Sequence, residues 1–282
     1  MSSLRFLDRP DQPRLAWRLD VPSGAPSGRV LLIHGYADHL GRFDHVAMYW
    51  TERGLAVARL DLRGHGQSEG SRGHVMSIAE YVGDVQGVLS ALEREPAWTA
   101  IPSRPILFGH SLGALIAAEV ALEVGDGIAG FASTSPFFAV KQRVHPIEYN
   151  AGKIAQKVFP KLRQSSRLHG TDMTHDPRAA ASYDRDEYHF GHITMGFFFA
   201  ALEAQNDVLE RARAIRQPLF CIAAGEDRVV DVEATKRFFE RAGSSEKELD
   251  VRPGLFHEIL NETDWRDHAG RLADRMRRWS AA

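Results

Sequence analysis

The hydrophobic pattern alternates between two periods along the chain. Short apolar runs at Arg29–Ile33, Ala56–Leu60, Pro105–Phe108, Gly130–Thr134 and Leu219–Ala224 predict buried strands. Unbroken runs of this kind suit parallel strands covered on both faces. Between them lie amphipathic stretches at helical spacing. Ile78, Tyr81, Val82, Val85, Val88, Leu89 and Leu92 form one stripe, opened by Ser77 and Glu80 as a capping box. A second helix is expected from Val232 to Ala242, with Gly243 as its C′ residue. A third, Asp264 to Trp279, puts Trp265, Ala269, Leu272, Met276 and Trp279 on one face. Lys247 to Arg252 is strand-like. The whole predicts a mostly parallel central α/β sheet with helices on both faces.

The stretch 136–205 breaks this rhythm. It carries Pro136, Pro146, Pro160 and Pro177, short helical pieces and no clear strand pattern. The expectation is a helical cap, or lid, inserted at 136–205 into a core made of residues 1–135 and 206–282. It follows the strand after Ser111, so it emerges at the carboxyl edge of the sheet, where ligands bind. Within it Ile193 to Leu202 is apolar around most of a helix, and Pro136 to Val140 adds a second apolar patch. Such a helix packs on the domain beneath, or walls an acyl chain with Phe197 and Phe198, or does both.

The chemistry centres on Gly109-His110-Ser111-Leu112-Gly113, which reads G-x-S-x-G between a strand and an alanine-rich helix. That is the nucleophile elbow of a serine hydrolase. A serine hydroxyl needs a base, and the base needs an orienting acid. Two downstream residues stand after strands in the required order: Asp227, behind Leu219 to Ala224, and His257, behind Lys247 to Arg252. Asp231 reads as a helix N-cap instead, and His268 as a polar surface histidine within the last helix. The oxyanion donors are expected to be the amides of Leu112 and of Tyr36, in the loop His34-Gly35-Tyr36. The Tyr36 side chain is then free to wall or gate the pocket.

Composition removes several other classes. Of 282 residues, 44% are hydrophobic and 26% charged, and 35 basic against 37 acidic side chains give a net charge of −2. That balance gives no reason to expect a nucleic-acid partner. A single cysteine, Cys221, forbids an internal disulfide and reads as a buried strand residue. Met1 to Pro13 is charged and lacks an apolar core of signal type, and no apolar stretch is long enough to span a bilayer, so the cytoplasm is the expected location. The 13 histidines form no ligand pattern, so no metal and no cofactor are expected.

Five segments together resemble the monoacylglycerol lipase and lysophospholipase family of α/β hydrolases. They are HGYADHLGRFDHVA at 34–47, DLRGHGQSEGSRG at 61–73, LFGHSLGALIAAEVAL at 107–122, AGEDRVVD at 224–231 and LFHEILNE at 255–262. They span most of the chain in the family's order, the 136–205 stretch excepted. The resemblance implies the α/β-hydrolase fold, a triad of Ser111, Asp227 and His257, and oxyanion donors Tyr36 and Leu112. It also implies head-group contacts from Asp38, Arg42 and His110, for which a plain loop salt bridge between Asp38 and Arg42 is the competing reading. Asp38 stands where the family mostly has Glu, Tyr36 where a smaller residue is frequent, and Ala114 where Gly is usual.

The resulting expectation is a serine ester hydrolase. It would release a fatty acid from monoacylglycerols or similar lipid monoesters, without a cofactor, the cap making transient contact with a membrane surface. A lysophospholipase or a general carboxylesterase stays open as an alternative. An aminopeptidase would need an acidic group such as Asp38 or Asp186-Glu187 for the substrate amine. A non-catalytic binding module on the same fold is the remaining alternative. Oligomeric state is left open.

Overall fold

The computed structural model describes residues 2–141, 146–166 and 168–281. Ten strands follow in chain order: β1 (Arg5–Arg9), β2 (Gln12–Asp20), β3 (Gly28–Ile33), β4 (Leu55–Leu60), β5 (Ile106–His110), β6 (Gly130–Thr134), β7 (Arg163–Ser165), β8 (His192–Thr194), β9 (Leu219–Ala224) and β10 (Lys247–Arg252). The helices are α1 (Asp44–Glu52), α2 (Ala79–Leu92), α3 (Pro96–Thr99), α4 (Leu112–Val124), α5 (Pro146–Val158), α6 (Gly170–Met173), α7 (Pro177–Arg185), α8 (Met195–Arg211), α9 (Val232–Arg241) and α10 (Trp265–Ala281). Eight strands form one sheet in the order β1-β2-β4-β3-β5-β6-β9-β10. From β4 to β10 all neighbours are parallel, while β1 and β2 join antiparallel at one edge.

The predicted strands lie where the apolar runs placed them, and β4, β5, β6 and β9 are buried along their whole length. Two apolar cores result. One, under α2, α4, α8 and α9, holds Tyr81, Val85, Leu115, Phe138, Phe197 and Phe238. The other, under α1 and α10, holds Val46, Trp50, Phe108, Leu272, Met276 and Trp279. A sheet covered on both faces needs residues that are apolar on both sides of the strand, which is why these runs are continuous.

Several local expectations need correction. The 136–205 stretch does contain strands: β7 and β8 pair antiparallel over three residues each. Pairs so short leave no alternating pattern to read, and β8 consumes Ile193 and Thr194, so the apolar helix begins at Met195. Gly243 has no left-handed φ. It is needed because a Cβ there would run into Arg213 O, where the chain end of α9 passes the turn before β9. His268 is buried, not on the surface. It falls on the same face of α10 as Trp265, Leu272 and Met276, and its Nε2 sits 3.3 Å from Asp264. The β1–β2 hairpin was not anticipated, since Pro10, Pro13 and the charges around them mask a half-exposed edge pair. Asp231 caps α9 as expected, accepting from Glu233 N at 3.0 Å. Glu80 Oε1 accepts from Ser77 N at 3.3 Å, and Ser77 Oγ accepts from Ala79 N at 3.2 Å, one step ahead of α2.

The chain packs very closely where β5 turns into α4. A Cβ on Gly109 would overlap the backbone of Gly113, and one on Gly113 would overlap Ile33 O at the end of β3. Gly113→Ala therefore has to push α4 off the sheet. We expect it to lower the free energy of unfolding by about 3 kcal/mol, read by urea denaturation; an unchanged midpoint would contradict this packing.

Candidate active site

The chain leaves the sheet at the carboxyl ends of β3, β5, β6, β9 and β10, and these five exits converge. After β5 the backbone reverses into α4 through Ser111, whose φ of 52° and ψ of −116° are strained for a residue with a side chain. Ser111 N donates to Thr134 O at 3.1 Å, and Ser111 O accepts from Phe137 N at 3.1 Å, which holds that conformation from both sides.

The loop after β10 delivers His257, and the loop after β9 delivers Asp227. His257 Nε2 lies 2.9 Å from Ser111 Oγ and Nδ1 lies 2.8 Å from Asp227 Oδ2. A carboxylate can only accept, so Nδ1 carries the proton and Nε2 is left as acceptor for the serine hydroxyl. The other Asp227 oxygen accepts from Val229 N at 2.8 Å and Val230 N at 2.9 Å, so the carboxylate cannot rotate away. Asp227 is fully buried and His257 nearly so.

Burial works against the charge on Asp227, but the imidazole and the two amides outweigh it and hold the carboxyl below its usual value. At His257 burial disfavours the imidazolium. The Asp227 charge and hydrogen bond, with Glu258 and Asp38 behind them, reverse this and move the imidazole above its ordinary 6.5. His110, beneath, is held well below its ordinary value by burial and by the neighbouring His257.

The loop after β3 closes over the serine. A side chain on Gly35 would come within 3.4 Å of Ser111 Cβ, so the peptide between Gly35 and Tyr36 lies beside the nucleophile. Leu112 is the first residue of α4, where amides have no partner inside the helix. The Tyr36 ring stacks on Phe197 at 4.0 Å and meets Phe190 edge-on at 5.4 Å. Its hydroxyl lies 2.9 Å from Gly73 O and 3.1 Å from His192 O. Phe197 is buried, while Phe198, one position round the helix, is half-buried with its ring against Phe199.

Arg42 Nε lies 3.1 Å from Asp38 Oδ1 and its Nη2 pairs with Glu258, which adjoins His257. Tyr183 of α7 lies under the guanidinium, 5.2 Å from it. His110 Nδ1 is 3.0 Å from Thr134 Oγ1, and its ring is 5.0 Å from that of His257. His110 thus lies against the His257 ring, Arg42 stands behind His257 through Glu258, and Asp38 is engaged with Arg42. Three further residues escape sequence reading. Glu258 completes the Arg42 group; Ser135 Oγ donates to His257 O at 2.8 Å; Lys141 Nζ donates to Asp227 O. Glu258 could have been noticed as a charge beside the histidine, whereas nothing in the sequence marks Ser135 or Lys141.

This fold, with a serine at the elbow, is that of the α/β hydrolases. The sequence profile of the Hydrolase_4 family, described as serine aminopeptidase, S33, matches residues 24–264, and the chain belongs to that family. It is similar to a monoacylglycerol lipase of Mycolicibacterium smegmatis, 30% identical over 89% of this chain and 88% of the relative. It is also similar to phospholipase YtpA of Bacillus subtilis, 25% identical over 89% of this chain and 94% of that protein. Among solved structures, the monoacylglycerol lipase of Paleococcus ferrophilus superposes with a TM-score of 0.83 at 24% identity, covering 94% of this chain and 99% of that one.

The electrostatics can be read directly. The Asp227 carboxylate stabilises the protonated imidazole, so the NMR titration midpoint of His257 should lie above 6.5. In Asp227→Asn burial acts unopposed by that charge, and the midpoint should fall below the wild-type value. A midpoint that stays put would mean the pair does not interact as described.

Proposed function

We propose that the protein is a serine ester hydrolase that cleaves lipid monoesters, monoacylglycerols foremost, through an acyl-enzyme. The observation that carries this is the hydrogen-bonded chain from Asp227 through His257 to Ser111. Ser111 Oγ attacks the ester carbonyl carbon while its proton passes to His257 Nε2. Asp227 keeps the imidazole in the required tautomer and offsets its new charge. The amides of Tyr36 and Leu112 take the oxyanion. The alcohol leaves with the proton from Nε2, and a water molecule, deprotonated by the same nitrogen, releases the acid.

Two observations favour a lipid ester over a peptide. Asp38 is already paired with Arg42, and Asp186 is 2.8 Å from His39 Nε2, so two of the three carboxylates that an aminopeptidase could draw on, Glu187 being the third, are engaged. The Tyr36 ring, which follows the backbone beside Ser111, packs with Phe190 and Phe197, and in the proposal this aromatic group walls an acyl chain worth about 0.8 kcal/mol per buried methylene. Phe198 extends this wall in the proposal. Asp38, Arg42 and His110 flank the alcohol side, where the Arg42 group can hydrogen-bond a polar head. The names of the relatives, two of them monoacylglycerol lipases and one a phospholipase, agree with this class of substrate.

The test is fatty-acid release from 1-oleoylglycerol, with p-nitrophenyl butyrate alongside. Wild type should turn over the long ester well, and Ser111→Ala should lose at least about 10⁴-fold in kcat. Activity confined to the short ester would make this a general carboxylesterase. Unchanged activity in the variant would remove Ser111 from the reaction.

We propose that residues 136–205 act as a cap and that its outer side meets lipid. Ile154 and Val158 lie one turn apart on α5, and with Phe159 and Leu162 they are 70%, 65%, 64% and 54% exposed. Lys153, Lys157 and Lys161 stand among them, a basic setting that suits an anionic surface. No helix of the described residues is long and apolar enough to cross a membrane. Ile154→Ser with Phe159→Ser should weaken sedimentation with phosphatidylglycerol vesicles about tenfold, leaving hydrolysis of the soluble butyrate ester intact. Undiminished vesicle binding would exclude this face.

A further inference from the structure

The loop that carries His257 is pinned on three sides. Before it, Phe256 N donates to Glu262 Oε1 at 3.1 Å. At the residue itself, Ser135 Oγ donates to His257 O. After it, Glu258 N donates to Met173 O at 2.8 Å. Only the first of these comes from a charged side chain, and Glu262 is 2% exposed.

Glu262 also reaches the other way, into the segment that follows α6. Its Oε1 lies 3.0 Å from His175 Nδ1, and its Oε2 accepts from His175 N at 2.9 Å and lies 3.2 Å from Thr174 Oγ1. Thr174 Oγ1 is in turn 2.8 Å from Asn261 O. The His175 ring stacks on that of Phe256 at 3.7 Å, and the Arg228 guanidinium lies 3.9 Å from the Phe256 ring. One buried carboxylate therefore binds residues 174–175 to the residue immediately before His257. Hydrogen bonds to a charged acceptor are about twice as strong as neutral ones, and a buried donor left without its acceptor is costly.

We infer that Glu262 is a positioning residue: it locks the His257 loop to residues 174–175 and so sets the distance from Nε2 to Ser111 Oγ. The inference rests on His257 being the general base of the proposed reaction. On this account residues 174–175 hold the catalytic geometry, although they fall inside the stretch proposed as the cap. A movement there is felt at the imidazole.

The test uses Glu262→Gln, which keeps size but presents one oxygen where two are needed. His175→Phe is a second variant that keeps the ring stack and loses the Nδ1 contact at a half-exposed position. Active sites are counted by titration with a fluorophosphonate, so misfolded protein does not enter the rate. Glu262→Gln should lose between about 10-fold and 100-fold in kcat per titrated site, as expected for a displacement near 1 Å, with KM within about 2-fold. His175→Phe should lose less, in the same direction. If Glu262→Gln yields no folded protein, His175→Phe decides alone. Wild-type kcat per site in the folded variants overturns the inference, whatever their thermal stability. A second readout needs no substrate: the far-downfield Nδ1 proton of the His257–Asp227 hydrogen bond should broaden or shift in Glu262→Gln. If wild type cleaves no ester, the functional reading fails and this resonance still decides the positioning role, an unchanged line overturning it.

Discussion

The structure depends on one strained residue. Ser111 occupies a backbone conformation that costs on the order of 1–3 kcal/mol, and it is kept there by Thr134 O on one side and Phe137 N on the other. The strain is tolerated because β5 and α4 approach so closely that only Gly109 and Gly113 fit around it. Everything else at the site is arranged with respect to the hydroxyl that this turn projects. The loop after β3 covers it, the loop after β10 brings the imidazole, and the loop after β9 orients the imidazole.

The surrounding charges form a graded set. Asp227 is fully buried and accepts three hydrogen bonds. Behind His257 lies a group in which one arginine, Arg42, serves two carboxylates, Asp38 and Glu258. Burial raises both of those carboxyls against the pull of Arg42. Their negative charge adds to that of Asp227 in favouring a protonated His257.

The stretch between β6 and α8 has two distinct characters. Around α5 it exposes large apolar side chains. From Met173 to His192 it is tied to the site by the Glu258 N bond to Met173, the Glu262 contacts, the His39–Asp186 pair, His189 at 3.0 Å from Ala37 O, and the Tyr36 hydroxyl. The first part leaves Ile154, Val158, Phe159 and Leu162 facing outward among lysines. The second braces the loops that carry Tyr36 and His257.

The inner parallel strands β3, β4, β5, β6 and β9 were legible because they are buried on both faces, so hydrophobicity alone marks them. Ser111, Asp227 and the loop containing Tyr36 were legible because each follows such a strand, and His257 because it follows the edge strand β10 in the order that the elbow motif demands. The edge hairpin, the three-residue strands β7 and β8, the burial of His268 and the true reason for Gly243 were not. Each depends on what packs against it from a distant part of the chain, which no local period encodes. The sequence by itself determined the layered fold and which side chains stand at the ends of its strands, because strand and helix periods are local. Only the tertiary structure decided that Arg42 would hold Glu258 as well as Asp38, and that Ser135 and Glu262 would fix the loop of His257. Such contacts join residues as much as 216 positions apart, as Arg42 and Glu258 are, and their geometry exists only once the sheet has brought the loops together.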